Sequence, residues 1–391
     1  MRQIVCISTS NYYPIPTRKQ NVMNRLSDAE IIYIDPPVSY IAPLKDKKTK
    51  PRLTAYKKPG EKAQENITVY AAPPVIPFFN KRRWINRLNQ KRMARWLKKI
   101  IKDHGFEKPY LWCYSPVSCD LVDEIPNSGV IYDCVDRHSA YQGMINPAVV
   151  DRMEEELAKK SRQVFCTAQG LYDTLAEYNP GTALIPNGAA YEIFSQAAEA
   201  PLKACGGKPS GEKPKGPVFG FVGMLQECID YDCIRAVAEA YPEGRVVMIG
   251  KSLPGVDLSP LAACGNIELV GLVPQAELPS YIRDFDVCLN AFREGRLSKD
   301  VSPLKFYEYL ATGKPIVSTG EPLQVRDFAD VVYIAHGREA FVKACGEALA
   351  EKDQDKEAQE KKARRMAYGK ACSWEERVRQ MEAILTERGV F

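Results

Sequence analysis

"KDVSPLKFYEYLATGKPIVSTG", Lys299 to Gly320, reads as one helix followed by one strand. Pro303 suits a first helical turn, where its missing N–H is no loss. Asp300 or Ser302 stands where a cap is needed. Gly313, Lys314 and Pro315 then stop the helix. The β-branched run Ile316-Val317-Ser318-Thr319 follows at once and reads as a buried strand. Within the helix, Lys305 and Glu308 fall three residues apart, on one face.

The same alternation runs through the chain of 391 residues. Short apolar runs bounded by turn residues occur at Ile4–Thr9, Ile31–Asp35, Ile67–Ala71, Tyr110–Ser115, Gly129–Val135, Gln163–Thr167 and Ala183–Ile185. Helical patterns such as Val149–Lys160 and Leu171–Glu177 lie between them. A second series covers Val218–Val222, Arg245–Ile249, Ile267–Val270, Val287–Asn290, Ile316–Thr319 and Val331–Ile334. Alternation of this kind predicts parallel sheets covered by helices, an α/β class. Between the series, Ser195–Pro217 is rich in Gly, Pro, Lys and Ala without apolar periodicity, and reads as a linker. A charged helix is expected from Glu351 to Arg365, and an amphipathic one from Glu375 to about Arg388. The expected domains are therefore 1–194, 218–370 and a closing segment 371–391. Two doubly wound, Rossmann-like domains would bind ligands at the C-terminal ends of their strands, across a cleft.

Composition narrows the class. Hydrophobic residues make up 45% and charged residues 26%, as in globular proteins. No apolar run approaches the roughly 18 residues of a membrane-spanning helix. The N-terminal "MRQIVCISTSNYYP" lacks the pattern of a signal peptide. Twelve cysteines without CxxC spacing fit buried thiols in a reducing cytosol, and a count of three histidines argues against a His/Cys metal site. Residues 1–104 hold 22 Lys/Arg against 7 Asp/Glu, although the whole chain carries only +5. That asymmetry points to an anionic surface or ligand on the N-terminal side.

The opening stretch carries a chemical reading. A helix N-terminus and Lys305 can hold a phosphate. Glu308 can accept two hydrogen bonds from a vicinal diol such as a ribose. The plainer alternative is an exposed Lys–Glu pair on an ordinary capped helix.

The segment Ser302–Thr319 resembles the donor-nucleotide motif of group-1, family-4-like GT-B glycosyltransferases. In that pattern an acidic residue precedes Glu by eight positions, and a small residue, Gly, any residue and Pro follow. Asp300 and Glu308 stand at the two acidic positions. The form "PLKFYEYLATGKP" resembles bacterial surface-polysaccharide transferases, the teichuronic-acid-type enzymes among them. "VIYDCVDRHSAY" (Val130–Tyr141), the stretch Phe165–Phe194 with Pro186-Asn187-Gly188, "GFVGMLQECIDYDCI" (Gly220–Ile234) and "IELVGLVPQAELPSYIRDFDVCLNAF" resemble further segments of the same enzymes. The resemblance implies a GT-B fold whose last helix crosses back to the N-terminal domain. It also implies a nucleotide-sugar donor, here a UDP-sugar, held by Glu308, Lys305, Ser302, Pro303, Asp300, Gly223, Met224 and Val273. The chain departs from the pattern in two ways. No Arg or Lys follows Gly223 before Cys228, so Lys305, Arg293, Arg296 or Lys299 would have to meet the diphosphate. The first acid is Asp, one methylene shorter than the usual Glu.

Glycosyl transfer needs a base for the acceptor hydroxyl. Asp136 is expected in that role, with Asp133 supporting it and His138 as the substitute. The loop after the first strand offers Tyr12, Tyr13, Arg18 and Lys19 to an acceptor, and its lack of GxGxxG argues against an NAD enzyme. The triplets Asp230-Tyr231-Asp232 and Asp284-Phe285-Asp286 sit where capping and turn roles are expected, so no metal and no cofactor beyond the sugar nucleotide is expected. The segment Phe78–His104 holds ten Lys/Arg and one Asp, interleaved with Trp84 and Trp96. A basic amphipathic helix of this sort suits an anionic membrane surface through Lys81–Lys102, and no nucleic-acid motif accompanies it. The expected place is the cytoplasm, peripheral on the inner face of the cell membrane. The expected partners are a nucleotide sugar and a lipid-linked or glycan acceptor. The rival expectation is a degenerate transferase that binds nucleotide or membrane without turnover.

Overall fold

The β-branched runs form strands of two sheets. The structure, a computed structural model, describes residues 1–141, 143–198, 216–253, 255–293, 295, 299–351 and 355–391. One unit comprises Met1–Pro186 with Val378–Phe391, and the other Asn187–Arg377.

The first unit contains β1 (Arg2–Ile7), β2 (Ala29–Asp35), β3 (Glu61–Gln64), β4 (Ile67–Ala71), β5 (Tyr110–Cys113), β6 (Gly129–Cys134), β7 (Gln163–Cys166) and β8 (Thr182–Leu184). They order as β3-β4-β2-β1-β5-β6-β7-β8. All neighbours are parallel except β3 and β4. The sequence reading missed β3, and the sheet is therefore mixed at one edge. Its residues, Glu-Lys-Ala-Gln, are largely exposed and carry no apolar signal. Ile4 lies beside Ile31 on one side and Tyr110 on the other, so the strand order reverses at β1. A core of apolar and thiol side chains fills one face, where Leu97 and Ile101 of the helix Arg83–Asp103 belong to the same buried cluster as Val5, Ile32 and Leu111.

The second unit contains β9 (Val218–Val222), β10 (Arg245–Ile249), β11 (Ile267–Gly271), β12 (Val287–Asn290), β13 (Ile316–Thr319) and β14 (Tyr333–Ala335). Their order is β11-β10-β9-β12-β13-β14, and neighbouring strands run parallel. Here the order reverses between β9 and β12. The helix Leu304–Thr312 ends on Gly313 at φ +72°, a left-handed conformation that favours glycine. The helix Lys356–Ala371 crosses it so closely that a Cβ at Gly369 would lie 2.5 Å from the Ala311 nitrogen. Arg365, the last residue of the charged helix expected from the sequence, is wholly buried there. Its guanidinium donates to Gly313 O at 2.9 Å and Val331 O at 3.0 Å, and pairs with Glu351. The charge can sit inside because every arm of the fork has an acceptor.

Residues 187–194, assigned above to the first domain, belong to the second unit. Ala189 exchanges backbone hydrogen bonds with Cys372 and Trp374 at 2.8 and 3.0 Å, and Phe194 is fully buried. The expected linker lies mostly outside the described residues. The last helix, Trp374–Glu387, begins in the second unit, and from Val378 onward the chain is part of the first.

Candidate functional site

In the second unit, the loops after β9 and β12 rise from the point where the strand order reverses, the usual ligand position in such sheets. They are joined by a bridge between Ile229 and Phe292, and Arg293 N donates to Cys228 O at 2.8 Å. The loop without bases, Gly223–Cys228, thus has exposed Arg293 at its side. Gly223 N donates to Ile249 O at 2.9 Å, and Met224 is 41% exposed. Val273 is half-buried and Lys299 is exposed. Arg296 lies outside the described residues.

The Lys305–Glu308 pair is not the exposed pair of the plain alternative. Glu308 is completely buried, and Lys305 Nζ lies 2.7 Å from its Oε2. Gln275 Nε2 donates to Oε1 at 3.0 Å. Burial pushes the Glu308 carboxyl upward, while Lys305 and Gln275 pull it back. Lys305 remains about a quarter exposed, with its ammonium 5.7 Å from the centre of the Phe194 ring. Each carboxylate oxygen keeps a free lone pair for a further donor. The expected cap is corrected: Pro303 occupies the N-cap, and no side chain among the described residues caps the turn. Ser302 is occupied elsewhere, its Oγ accepting from Asn187 N at 3.0 Å and its carbonyl from Asn187 Nδ2 at 2.9 Å. Asp300 is buried.

In the first unit, the segment after β6 gathers several titratable groups. Asp133 is wholly buried, and Arg18 Nε donates to both its oxygens at 3.0 and 2.9 Å. Arg18 also donates to Pro186 O at 3.0 Å. This corrects the reading of Arg18 as a loop cation for an acceptor, because a buried carboxylate at a strand end needs a buried partner. Lys19 is buried as well, its ammonium 5.6 Å from the Tyr114 ring centre. Desolvation lowers its affinity for a proton, and Asp136 and Asp133 counter that effect. Both cations belong to the helix Arg18–Met23, whose first turn is closed by Thr17 and Gln20. Tyr12 is built in too, with its N–H on Asp35 at 2.8 Å and its hydroxyl on Asn24 at 2.8 Å. Tyr13 is 51% exposed.

Asp136 is half-buried, and burial raises its carboxyl, opposed by Lys19 and by a hydrogen bond with Tyr141. His138 is buried, and desolvation with nearby Lys19 lowers its imidazole to about 4. It is therefore neutral near pH 7. Its ring lies 5.5 Å from that of Tyr141. Beneath this segment, Glu154 accepts from the Tyr132 hydroxyl at 2.6 Å and from the Cys134 thiol at 3.6 Å.

Sequence reasoning missed Gln275, Asn187, Phe194 and Tyr141 as partners. All four stood inside quoted stretches, but nothing local marks which side chain meets which. The two DxD triplets have structural work. Asp230 accepts from Cys233 N at 3.0 Å, capping its helix, and Asp286 accepts from Val218 N at 2.9 Å.

The helix Arg83–Asp103 divides its cations. Arg83 pairs with Asp120 at 2.8 Å and with Glu156 at 2.5 Å, and Arg92 donates to the Tyr40 hydroxyl at 2.6 Å. Arg87, Lys91, Arg95, Lys98, Lys99 and Lys102 are exposed, as are Trp84 and Leu88. Trp96 is instead half-buried against Tyr70, its N–H on Tyr56 O at 3.2 Å. Among the described residues, no helix is long and apolar enough to cross a membrane.

Residues 231–383 match a family model described as "Glycosyl transferase-like". The chain is 26% identical over 206 residues to the "Putative teichuronic acid biosynthesis glycosyltransferase TuaH" of Bacillus subtilis, a match that spans 49% of this chain and 51% of that protein. The chain thus covers about half the length of this curated relative. Among solved structures, sucrose-phosphate synthase from Thermosynechococcus elongatus aligns over all of both chains with a TM-score of 0.68 at 13% identity. The trehalose-6-phosphate protein from E. coli bound with UDP-2-fluoro glucose aligns over 98% of this chain and 99% of its own, with a TM-score of 0.70 at 13% identity.

Proposed function

We propose that this chain, a GT-B glycosyltransferase by its fold and by the family resemblance of its second unit, moves a sugar from a UDP-sugar to a lipid-linked or glycan acceptor in cell-surface polysaccharide synthesis. The observation that carries the reading is the group formed by Lys305 and Glu308, on the first turns of the helix Leu304–Thr312, with Gln275 from the short helical turn Gln275–Glu277. A buried carboxylate with unused lone pairs is suited to a ribose diol. An ammonium about a quarter exposed beside a helix N-terminus is suited to a diphosphate. Arg293 supplies the charge that the loop Gly223–Cys228 lacks. Neutralising the leaving diphosphate by Lys305, Arg293 and the helix end is an electrostatic task that needs no metal. Asp136 takes the proton of the acceptor hydroxyl as the new glycosidic bond forms. Its raised carboxyl is the better base of the two acids, since Asp133 is committed to Arg18. The exposed basic face of the helix Arg83–Asp103 holds the enzyme on the inner, anionic face of the membrane, where lipid-linked acceptors reside.

The test is release of nucleoside diphosphate from a panel of nucleotide sugars, by wild type and by Glu308→Ala. Turnover of one donor, lost in the variant, supports the proposal. Binding of UDP without turnover of any donor favours the degenerate transferase instead.

A further inference from the structure

The helix Arg83–Asp103 ends beside a cavity of about 520 Å³. Ile101, Phe106 and Ile125 form its floor, each less than a tenth exposed, and Lys98 and Lys102 stand at its rim. The two lysines are one turn apart and project from the same helix face. Both are exposed. Their stems can lie over the apolar floor while the ammonium groups reach the mouth. The volume falls within the range of about 300–1,000 Å³ typical of small-ligand sites.

This combination selects a ligand class. A free nucleotide or phosphate has no use for the apolar floor. A neutral lipid leaves both ammonium groups without a counter-charge. Glu107 also lines the cavity, and its carboxylate disfavours a second negative charge on the ligand. A singly charged head on an apolar chain meets all three conditions. The cavity also opens on the basic face already described, because Arg87, Lys91, Arg95, Lys98 and Lys102 repeat at three- and four-residue spacing along it. It lies away from the reacting groups. The segments that line it lead into the starts of β5 and β6, whereas Asp133 and Asp136 lie at the far end of β6.

We infer that this cavity takes one anionic phospholipid, its phosphodiester between Lys98 and Lys102 and the first carbons of an acyl chain over Ile101, Phe106 and Ile125. The inference rests on the membrane part of the proposed function and gives that surface a specific lipid site.

The experiment is calorimetry with dihexanoyl phosphatidylglycerol kept monomeric, with dihexanoyl phosphatidylcholine and inorganic phosphate as controls. Saturable one-to-one binding of the anionic lipid is expected. Binding should be at least about tenfold weaker for the choline lipid, and about tenfold weaker for K98S/K102S, since two charges near the phosphate are lost. Pro126→Trp, at an exposed lining position, should block the mouth, and thermal melts should show both variants folded. No saturable binding, equal affinity for the two lipids, or saturation by phosphate alone overturns the inference. So does unchanged affinity in K98S/K102S, which would leave the lysines as partners of the helix C-terminus only. A separate variant, R87S/K91S/R95S, should lose vesicle binding and keep the monomeric lipid. If wild type binds acidic vesicles but no monomeric lipid, the cavity fails while the membrane surface stands.

Discussion

Glu308 keeps its carboxylate where water does not reach, and among the described residues Lys305 and Gln275 compensate it. If it also holds a ribose diol, Glu308→Ala should raise the Kd for UDP by roughly ten- to a hundredfold, the loss expected for hydrogen bonds to a charged group. Lys305→Ala should weaken UDP more than uridine, because its charge faces phosphate. Calorimetry with both ligands reads the contrast, and equal losses would make Lys305 a partner of Glu308 alone. Asp136→Asn keeps the shape but cannot take a proton. Donor affinity should stay near normal while kcat falls by about 10²–10⁴. In wild type the acid limb of kcat/KM should lie above 3.8, the ordinary carboxyl value, because burial raises Asp136. Activity of the variant within a few-fold of wild type would move the base to His138.

Glu154 tests the same physics through stability. Burial raises its carboxyl above the ordinary 4.5, against the pull of Tyr132, Cys134 and Arg137. A raised carboxyl stabilises the fold below the ordinary value, and that contribution is lost as pH rises through the folded one. Glu154→Gln has no such penalty. The Tm of wild type relative to the variant should therefore fall between acid and neutral pH. A pH-independent difference would contradict the assignment.

At the scale of elements, the helix Arg83–Asp103 separates two kinds of cation that look alike in the sequence. Arg83 is tied to Asp120 and Glu156, whereas Lys91 and Arg95 face solvent beside Trp84 and Leu88, and Arg87 is mostly exposed with only a longer pair to Asp120 at 3.7 Å. A membrane should feel only the second group. Co-sedimentation with acidic vesicles is expected at low salt and should weaken as the Debye length shortens from about 30 Å at 0.01 M to about 10 Å at 0.1 M. Neutral vesicles should not retain the protein. R87S/K91S/R95S should release it yet spare transfer to a soluble acceptor analogue. Retention on acidic vesicles by that variant would place the contact elsewhere, with the basic segment Lys45–Lys58 the next to test.

For the whole molecule, the end of the chain completes the unit that its beginning starts. Val378, Met381, Leu385 and Val390 are all buried in the first unit. At about 1.5–3 kcal/mol for each buried apolar side chain, removing residues 378–391 costs as much as a typical domain's entire stability. The truncated protein should lose amide protection across β1 and β2, while the strands of the second unit keep theirs. Intact protection in β1 would show that the segment is dispensable.

The sequence by itself determined the class of fold, almost every strand and the helix that carries Lys305 and Glu308. Such features depend on local periodicity, on Pro303 near the start of the helix and on Gly313 at its end, and these act within a few residues. It also marked Asp136 and His138 by their place after a strand. Tertiary structure decided what the charges do. Arg18, Arg365 and Asp133 have the composition of solvated groups, yet each is buried, because an acceptor or donor from a distant part of the chain meets it. The edge strand β3 likewise exists only through β4, since its own residues are polar. Burial and pairing across tens to hundreds of residues are set by packing, and no local pattern encodes the partner.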